Sequence, residues 1–452
     1  MIEAFQFFTA LACLAISALF SAAAGAEGPA APRPVSFRRE IAPLLHRRCA
    51  ACHGEESAKG GYRLDSFQRM AKAGESELPP VVPGSTEKSE LFQLLIESDP
   101  NDRMPQRAGA LPMHEIALVE RWIQEGAVND GGAPERPLAE LVRETLLQPA
   151  PRHYPRPVPV TALAFSPDGT QLAVAGYFEV TLWNVDRGTL VRRIGGMPER
   201  VTAIAWSAKR NLIAVAGGSP SQWGAVWLVD PAKDFQPRIL CDLPETALSV
   251  AFSPDGTQLA AGAGDRTIRR FETSSGKQMR ILKQHADWVQ TVAFAPDGVR
   301  FITASRDRTA RIFDAATGEV LTTYDGHEAP VLAAVFPPDA ATALSVARGQ
   351  AVRQWEAGSG KQQAEFTGAG RKVQVLLPVG TGLVAGSSDG LIRLLRYRDR
   401  EVVLTFFGHR EAIDSLAAAP DQRTFASGDH AGAVCIWDAG CEAPARRFIA
   451  LP

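Results

Sequence analysis

The residues best placed to do chemistry in this chain are the five at 49–53, Cys-Ala-Ala-Cys-His. Cys49 and Cys52 lie one helical turn apart and His53 follows at once. Three chemistries use such a pattern: thiol–disulfide exchange, half of a zinc site, and covalent attachment of haem. A zinc site needs four ligands, normally a second Cys or His pair at similar spacing. No cysteine occurs between 53 and 240, and the helical stretch after the motif, to about residue 130, offers His114 as a single candidate. A dithiol motif expects a strand–helix–strand setting, whereas the flanking sequence has helical periodicity. Haem attachment uses every letter. The two thiols reach the two vinyl groups of one porphyrin, and the adjacent imidazole faces the iron. At this chain's frequencies the string is expected roughly 0.001 times by chance.

An iron held by His53 needs a second axial ligand from downstream, Met or His in a domain of this size. The candidates are Met70, Met104, Met113 and His114. Met70 falls on an expected helix, and Met113 and His114 fall in the first turn of another. Met104 sits in the loop "DPNDRMPQ", flanked by Asp99, Asn101, Asp102, Arg103 and Gln106, which is too polar for ordinary core filling. Met104 is therefore favoured as the ligand.

The elements that must position these residues are helices over roughly 36–130. "FRREIAPLLHRRC" spaces Phe37, Ile41, Leu44 and Leu45 on one face. "STEKSELFQLLIES" offers Ser85 or Ser89 as an N-cap before Leu91, Leu94 and Leu95. "LPMHEIALVERWIQEGA" has Pro112 near a helix start, a stripe of Ile116, Val119, Trp122 and Ile123, and Gly126 as a stop. Residues 131–157 read as an interdomain linker with one amphipathic piece, "LAELVRETLL".

Residues 1–26 form an uncharged, alanine-rich apolar run after Glu3, ending in Ala24-Gly25-Ala26. That is the form of a cleaved signal peptide, although the start lacks Lys or Arg. An uncleaved anchor is the alternative, since about 20 apolar residues can span a bilayer. Either way the bulk of the chain is expected to be periplasmic or otherwise exported, with membrane association only through an uncleaved leader. Attachment of haem c belongs outside the cytoplasm, so leader and motif agree. Six cysteines are too few for a disulfide-built scaffold, though export permits a Cys435–Cys441 bridge. The formal charge of −2 gives no general attraction to nucleic acid.

From residue 158 short β-rich segments recur. Their first strands end at Phe165, Trp206, Phe252, Phe294, Phe336, Pro378 and Ala418, at intervals of 41, 46, 42, 42, 42 and 40 residues. Seven units of about 40–45 residues with four short strands each indicate a seven-bladed β-propeller over 158–452. "SPDGTQLA" appears twice and "APDGVRF" once as tight turns, and "VTLWNVDRG", "ARIFDAATG" and "VCIWDAG" end the third strands.

These strings resemble the WD-repeat family. That family's tetrad of His, Ser or Thr, Asp and Trp is matched in the last blade by His409, Ser427, Asp429 and Trp437. The fourth blade offers His285, Ser305 and Asp307, with Phe313 in the Trp place. In the fifth, His327 is present but Gly349 stands where the Asp is expected. The histidines are read as structural. The strings "FRREIAPLLHRRCAACHG", "KGGYRLDS", "VVPGSTEKSELF", "RMPQ" and "EIALVERWIQEGA" resemble, in that order, the planctomycete cytochrome c domain family. The likeness runs over 37–127, with "RMPQ" departing where members often carry a second proline. It implies one covalent haem c on Cys49 and Cys52, with His53 proximal and Met104 distal.

The fold class expected is thus multidomain: a small all-α cytochrome c-like domain over 36–130, then an all-β seven-bladed WD-repeat propeller. The function expected is an exported c-type cytochrome that passes electrons to or from a redox partner protein. The propeller would serve protein–protein docking. Two alternatives stand beside it: an oxidoreductase in the propeller using the haem as electron outlet, and a haem-containing scaffold without redox turnover. The first lacks a convergent carboxylate pair, because Asp168, Asp255, Asp297 and Asp421 follow the repeat as turn residues. A run of arginines from Arg266 to Arg311 reads as solvated strands and turns, with an anionic partner patch as the alternative.

Overall fold

The computed structural model describes residues 33–54, 57–106 and 109–450. The leader read over 1–26 lies outside the described residues. A π-helical turn over Phe37–Ile41 runs into α1 (Ala42–Arg48), followed by α2 (Ala50–His53), α3 (Phe67–Met70), α4 (Glu90–Ile96), α5 (Met113–Gln124) and α6 (Leu138–Leu146). The four-residue stripe of α5 is buried as its spacing requires. Gly126 leaves the helix at φ +100°, a conformation open to glycine. Phe37 anchors the core, stacked on Trp122 at 5.7 Å and edge-on to Phe67 at 5.0 Å. The Trp122 indole donates to the Val128 carbonyl at 3.1 Å, so its one polar atom is satisfied.

The amphipathic piece of the 131–157 stretch is α6, and it faces two ways. Leu138 and Leu141 join the helical core, while Val142 packs with Val180, Val201 and Trp223 of the propeller. Positions 141 and 142 project about 100° apart on a helix, so one short element serves two cores. Arg143 adds an ion pair with Asp242 at 3.0 Å, and Asp242 also accepts from the Trp223 indole at 2.8 Å.

The β region consists of seven four-stranded antiparallel sheets, each made from contiguous chain. In sequence order the blades span 163–194, 200–243, 247–282, 289–324, 331–366, 373–406 and 413–449. Their first strands end within one residue of the sequence registration. The Ser-Pro-Asp-Gly strings are the turns into the second strands. Asp168 accepts from Ser166 at 2.5 Å and from the Thr170 backbone at 3.0 Å, and Gly169 supplies φ +73°.

Among the described residues no strand is exchanged to close the ring. Ser415 in blade 7 donates to the Val160 carbonyl at 2.6 Å, and the Val160 amide donates to Asp429 at 3.1 Å. Outside these, Trp183 stacks on Phe448 at 4.7 Å. The closing seam repeats the internal ones. A Cβ on Gly262 would lie 2.7 Å from Val289 of the next blade, one on Gly386 2.7 Å from Ile413, and one on Gly428 2.3 Å from Val160. Glycine in the second strand thus lets the following first strand approach closely at three seams, the closing one included.

Candidate functional site: the cavity behind the CAACH turn

Leu44 and Leu45 fasten α1 into the helical core and carry Cys49 to the edge of a cavity of about 410 Å³. The Cys49 amide still donates to Leu45, and the amides of Cys52 and His53 donate to the Cys49 carbonyl at 3.1 and 3.0 Å. This tight turn brings both thiols and the imidazole to one wall. Gly54 is required next, because a Cβ there would meet the Ala50 carbonyl at 2.5 Å. Leu64, Leu91, Leu94 and Leu95 supply apolar walls, with Arg48, Lys59 and Gln106 also lining the space.

The His53 imidazole is oriented by the segment that runs back past it. Nδ1 lies 3.3 Å from the Tyr62 carbonyl oxygen, and the His53 carbonyl accepts from Leu64 at 2.8 Å. With Nδ1 donating there, Nε2 keeps its lone pair for a ligand. Tyr62 is fixed in turn by donating to the Met70 carbonyl at 3.1 Å. Burial, helped by the second thiol alongside, pushes the Cys49 thiol up to about 12. A raised thiol is the opposite of a redox-active nucleophile, which needs a lowered one.

Of the four candidates for a second axial ligand, Met104 lines this cavity. Its amide donates to the Leu94 carbonyl at 2.9 Å, tying the polar loop to α4, and a cis peptide bond links it to Pro105. Met70 is buried core at 1% exposure, whereas Met113 is 78% exposed and His114 is exposed. Among the described residues no group of three or more His, Cys, Asp or Glu could hold a metal ion, so the zinc reading finds no second ligand pair. Two thiols, one imidazole nitrogen and one thioether around an apolar space fit a c-type haem, and the volume falls in the range of cofactor sites.

One determinant escaped the sequence reading. Glu115, buried on α5, accepts from Arg47 at 2.9 Å and from Arg48 twice at 3.0 Å. Burial alone would raise its carboxyl, but the hydrogen bonds from Arg48 and Arg47 outweigh it and hold it below the usual range. The residues just before Cys49 are thereby clamped to the longest helix. The available signal was the Arg47-Arg48 pair beside the motif.

The propeller histidines are structural, as expected, with two corrections to their partners. In blade 7, His409 contacts Asp429 at 2.8 Å and Ser427 at 2.6 Å, and Trp437 donates to Ser427 at 2.7 Å. In blade 4, His285 meets Asp307 at 2.8 Å, but its hydroxyl partner is Thr303 at 2.7 Å and not Ser305. Thr303 stands ten residues before Phe313, as Ser427 stands before Trp437; Ser305 instead donates to the Asp287 carbonyl at 3.1 Å. In blade 5 the missing carboxylate is replaced by the Gln350 amide oxygen, 2.8 Å from His327 and one residue past Gly349.

The arginine run is largely engaged within the propeller. Arg269, Arg300 and Arg306 pair with Asp265, Asp297 and Asp287, Arg270 is buried against the Ala315 carbonyl, and Arg311 reaches the Gln284 carbonyl. Cys435 is buried and Cys441 exposed, and they are not bonded to each other.

Comparison with known proteins agrees with this division. Residues 49–107 match the family model described as Planctomycete cytochrome C. The model for the WD domain, G-beta repeat, matches 151–184, 244–272, 276–314, 318–356 and 400–438. The probable serine/threonine-protein kinase PkwA of Thermomonospora curvata is 44% identical over 59 residues, 13% of this chain and 8% of that protein. The WD repeat-containing protein VIP3 of Arabidopsis thaliana is 31% identical over 137 residues, 28% of this chain and 43% of that protein. The nuclear distribution protein PAC1 of Gibberella zeae is 26% identical over 151 residues, 30% and 32% of the two chains. The chain spans less than half the length of each of these relatives.

Proposed function

We propose that this chain, a planctomycete-type cytochrome c domain joined to a seven-bladed WD-repeat propeller, is an exported electron carrier whose propeller docks a protein partner. The observation that carries the reading is the convergence of Cys49, Cys52, His53 and Met104 on one cavity. A haem held there would supply reversible one-electron transfer at an iron with both axial positions filled. Cys49 and Cys52 would tether it, and His53, oriented by the Tyr62 carbonyl, would offer Nε2. Met104 would offer its thioether, and the leucine walls would keep water from the metal. With His53 and Met104 both holding such a group, the chemistry it would supply is electron transfer rather than substrate turnover. The leader and the extracytoplasmic setting of haem c attachment support export. Docking is supported by the propeller's likeness to WD-repeat proteins.

The test is expression of the full chain with its leader in a host that matures c-type cytochromes. The protein should keep its haem after denaturation and show a low-spin His/Met spectrum when reduced. Met104→Ala should abolish the low-spin signature while leaving the haem covalently held. A chain that acquires no haem under these conditions sinks the reading, and an unchanged spectrum in Met104→Ala sinks the distal assignment.

A further inference from the structure

The first strands of the blades enclose a central cavity of about 770 Å³. Most hydroxyls on its wall are engaged in joining blades. Thr161 donates to Val201, Thr202 to Ala247, and Thr291 to Leu332, while Ser249 accepts from the Val292 amide. One sector differs. Arg348, in the turn after the second strand of blade 5, and Arg371 and Lys372, in the connection to blade 6, all line the cavity. All three are exposed, and among the described residues none has a hydrogen-bonding or ion-pair partner for its side chain. Elsewhere in the propeller Arg193, Arg269, Arg300 and Arg353 each hold a carboxylate. Among the described residues one acidic side chain, Asp414, is on the lining, and it is already paired with His430 at 2.9 Å.

We infer that this end of the channel binds an acidic peptide segment of a protein partner, with Arg348, Arg371 and Lys372 receiving its carboxylates. Three unpaired cations around one opening, in a protein of net charge −2, form a local positive field that selects anionic groups. The lining also carries Leu332, Leu376 and Leu416 among its hydroxyls and the amides of Gln290 and Gln374, which offers a peptide both apolar contact and hydrogen-bonding partners. Among the described residues no aromatic side chain lines the cavity. A single-stranded nucleic acid would find phosphate partners there but nothing on which to stack its bases. The volume is that of an extended ligand, well beyond one inorganic anion. The inference rests on the docking half of the proposed function and is independent of the haem.

The test uses the full chain and a fluorescein-labelled peptide, Glu-Leu-Glu-Glu-Leu-Glu, read by anisotropy. Binding should saturate, weaken about tenfold when salt rises from about 0.05 to about 0.2 M, and be lost with glutamine in place of every glutamate. The Arg371→Glu, Lys372→Glu double variant should bind at least about tenfold more weakly while melting like the parent. Arg348→Ala provides a second, milder variant should the reversal disturb folding. Absence of binding, equal binding of the glutamine peptide, or unchanged affinity in the variants overturns the inference. So does tighter binding of an oligo-dT of matched charge, which would mean a nucleic-acid surface, or complete displacement by low millimolar phosphate. The covalent haem is scored on the same preparation, so failure of the channel and failure of the cytochrome reading are separate results.

Discussion

Replacing Asp429 by alanine tests how the last blade holds the ring. Its carboxylate is 1% exposed and accepts from three donors: His409 Nδ1 at 2.8 Å and the amides of Ala431 and Ala433 at 3.0 and 2.8 Å. Burial works against the charge, yet His409 and these amides hold the carboxyl below its usual range. Ala431 is exposed, so water can replace its lost partner, whereas His409 Nδ1 and the Ala433 amide would be orphaned in the interior. Each orphaned buried donor costs about 1–3 kcal/mol, so Asp429→Ala should cost about 4 kcal/mol. At about 2–4 °C per kcal/mol for a large domain, the propeller's melting temperature should drop by about 10 °C. Asp389 is the control. It lies in the turn just past the second strand of blade 6, is exposed, and accepts one hydrogen bond, from the Leu391 amide at 3.2 Å. Asp389→Ala should cost under about 1 kcal/mol. Differential scanning calorimetry of the two variants decides the matter. Equal losses, or a loss below about 1 kcal/mol for Asp429→Ala, would refute the structural role given to the buried His409–Asp429 pair.

Two further outcomes follow from the same geometry. Burial pushes the His327 imidazole down to about 4, against the opposing hydrogen bond that its Nδ1 gives to the Gln350 amide oxygen. The unfolded chain therefore takes up a proton below pH 6.5 that the folded chain refuses until about pH 4. Stability should fall as pH drops through that window, by at most about 3 kcal/mol. His327→Gln should flatten the melting profile between these limits, whatever it does to stability at pH 7. The depressed Asp307 and Asp429 act separately: their contributions are present above the usual carboxylate range and are lost at more acid pH. At the seam, Gly428→Ala places a Cβ 2.3 Å from Val160 and should cost about 1–3 kcal/mol. Adding Val160→Ala should recover part of that loss in a double-mutant cycle, and purely additive losses would mean the seam contact is not the cause.

What could be read along the chain was whatever has a local period. The stripe Ile116, Val119, Trp122, Ile123 implies a buried helix face without reference to anything it touches, because a helix repeats every 3.6 residues. The interval near 42 implies the number of blades because each blade is one contiguous unit. Even weak copies were countable: blades 2 and 6 contain no Ser-Pro-Asp-Gly turn and fall largely outside the matched repeats, yet their first strands keep register. The tetrad partners were less legible. Thr303 and Gln350 do their work from positions next to, or two away from, those a family pattern names, because a hydrogen bond depends on where an oxygen arrives in space.

By itself the sequence determined that a CAACH turn sits on helical backbone, that a leader-like segment precedes it, and that seven β units follow. Those are statements about neighbours in the chain, where composition and spacing suffice. Tertiary structure alone decided that Met104, rather than Met70, Met113 or His114, lines the cavity of His53, and that Glu115 clamps the arginines beside Cys49. It also decided that α6 belongs to two cores and that Ser415 reaches Val160 across 255 residues to close the ring. It left Arg348, Arg371 and Lys372 unpaired around one opening. The physical reason is common to all of these. Each depends on which groups packing brings together from distant parts of the chain, and side-chain type says only what a residue can do once it meets a partner.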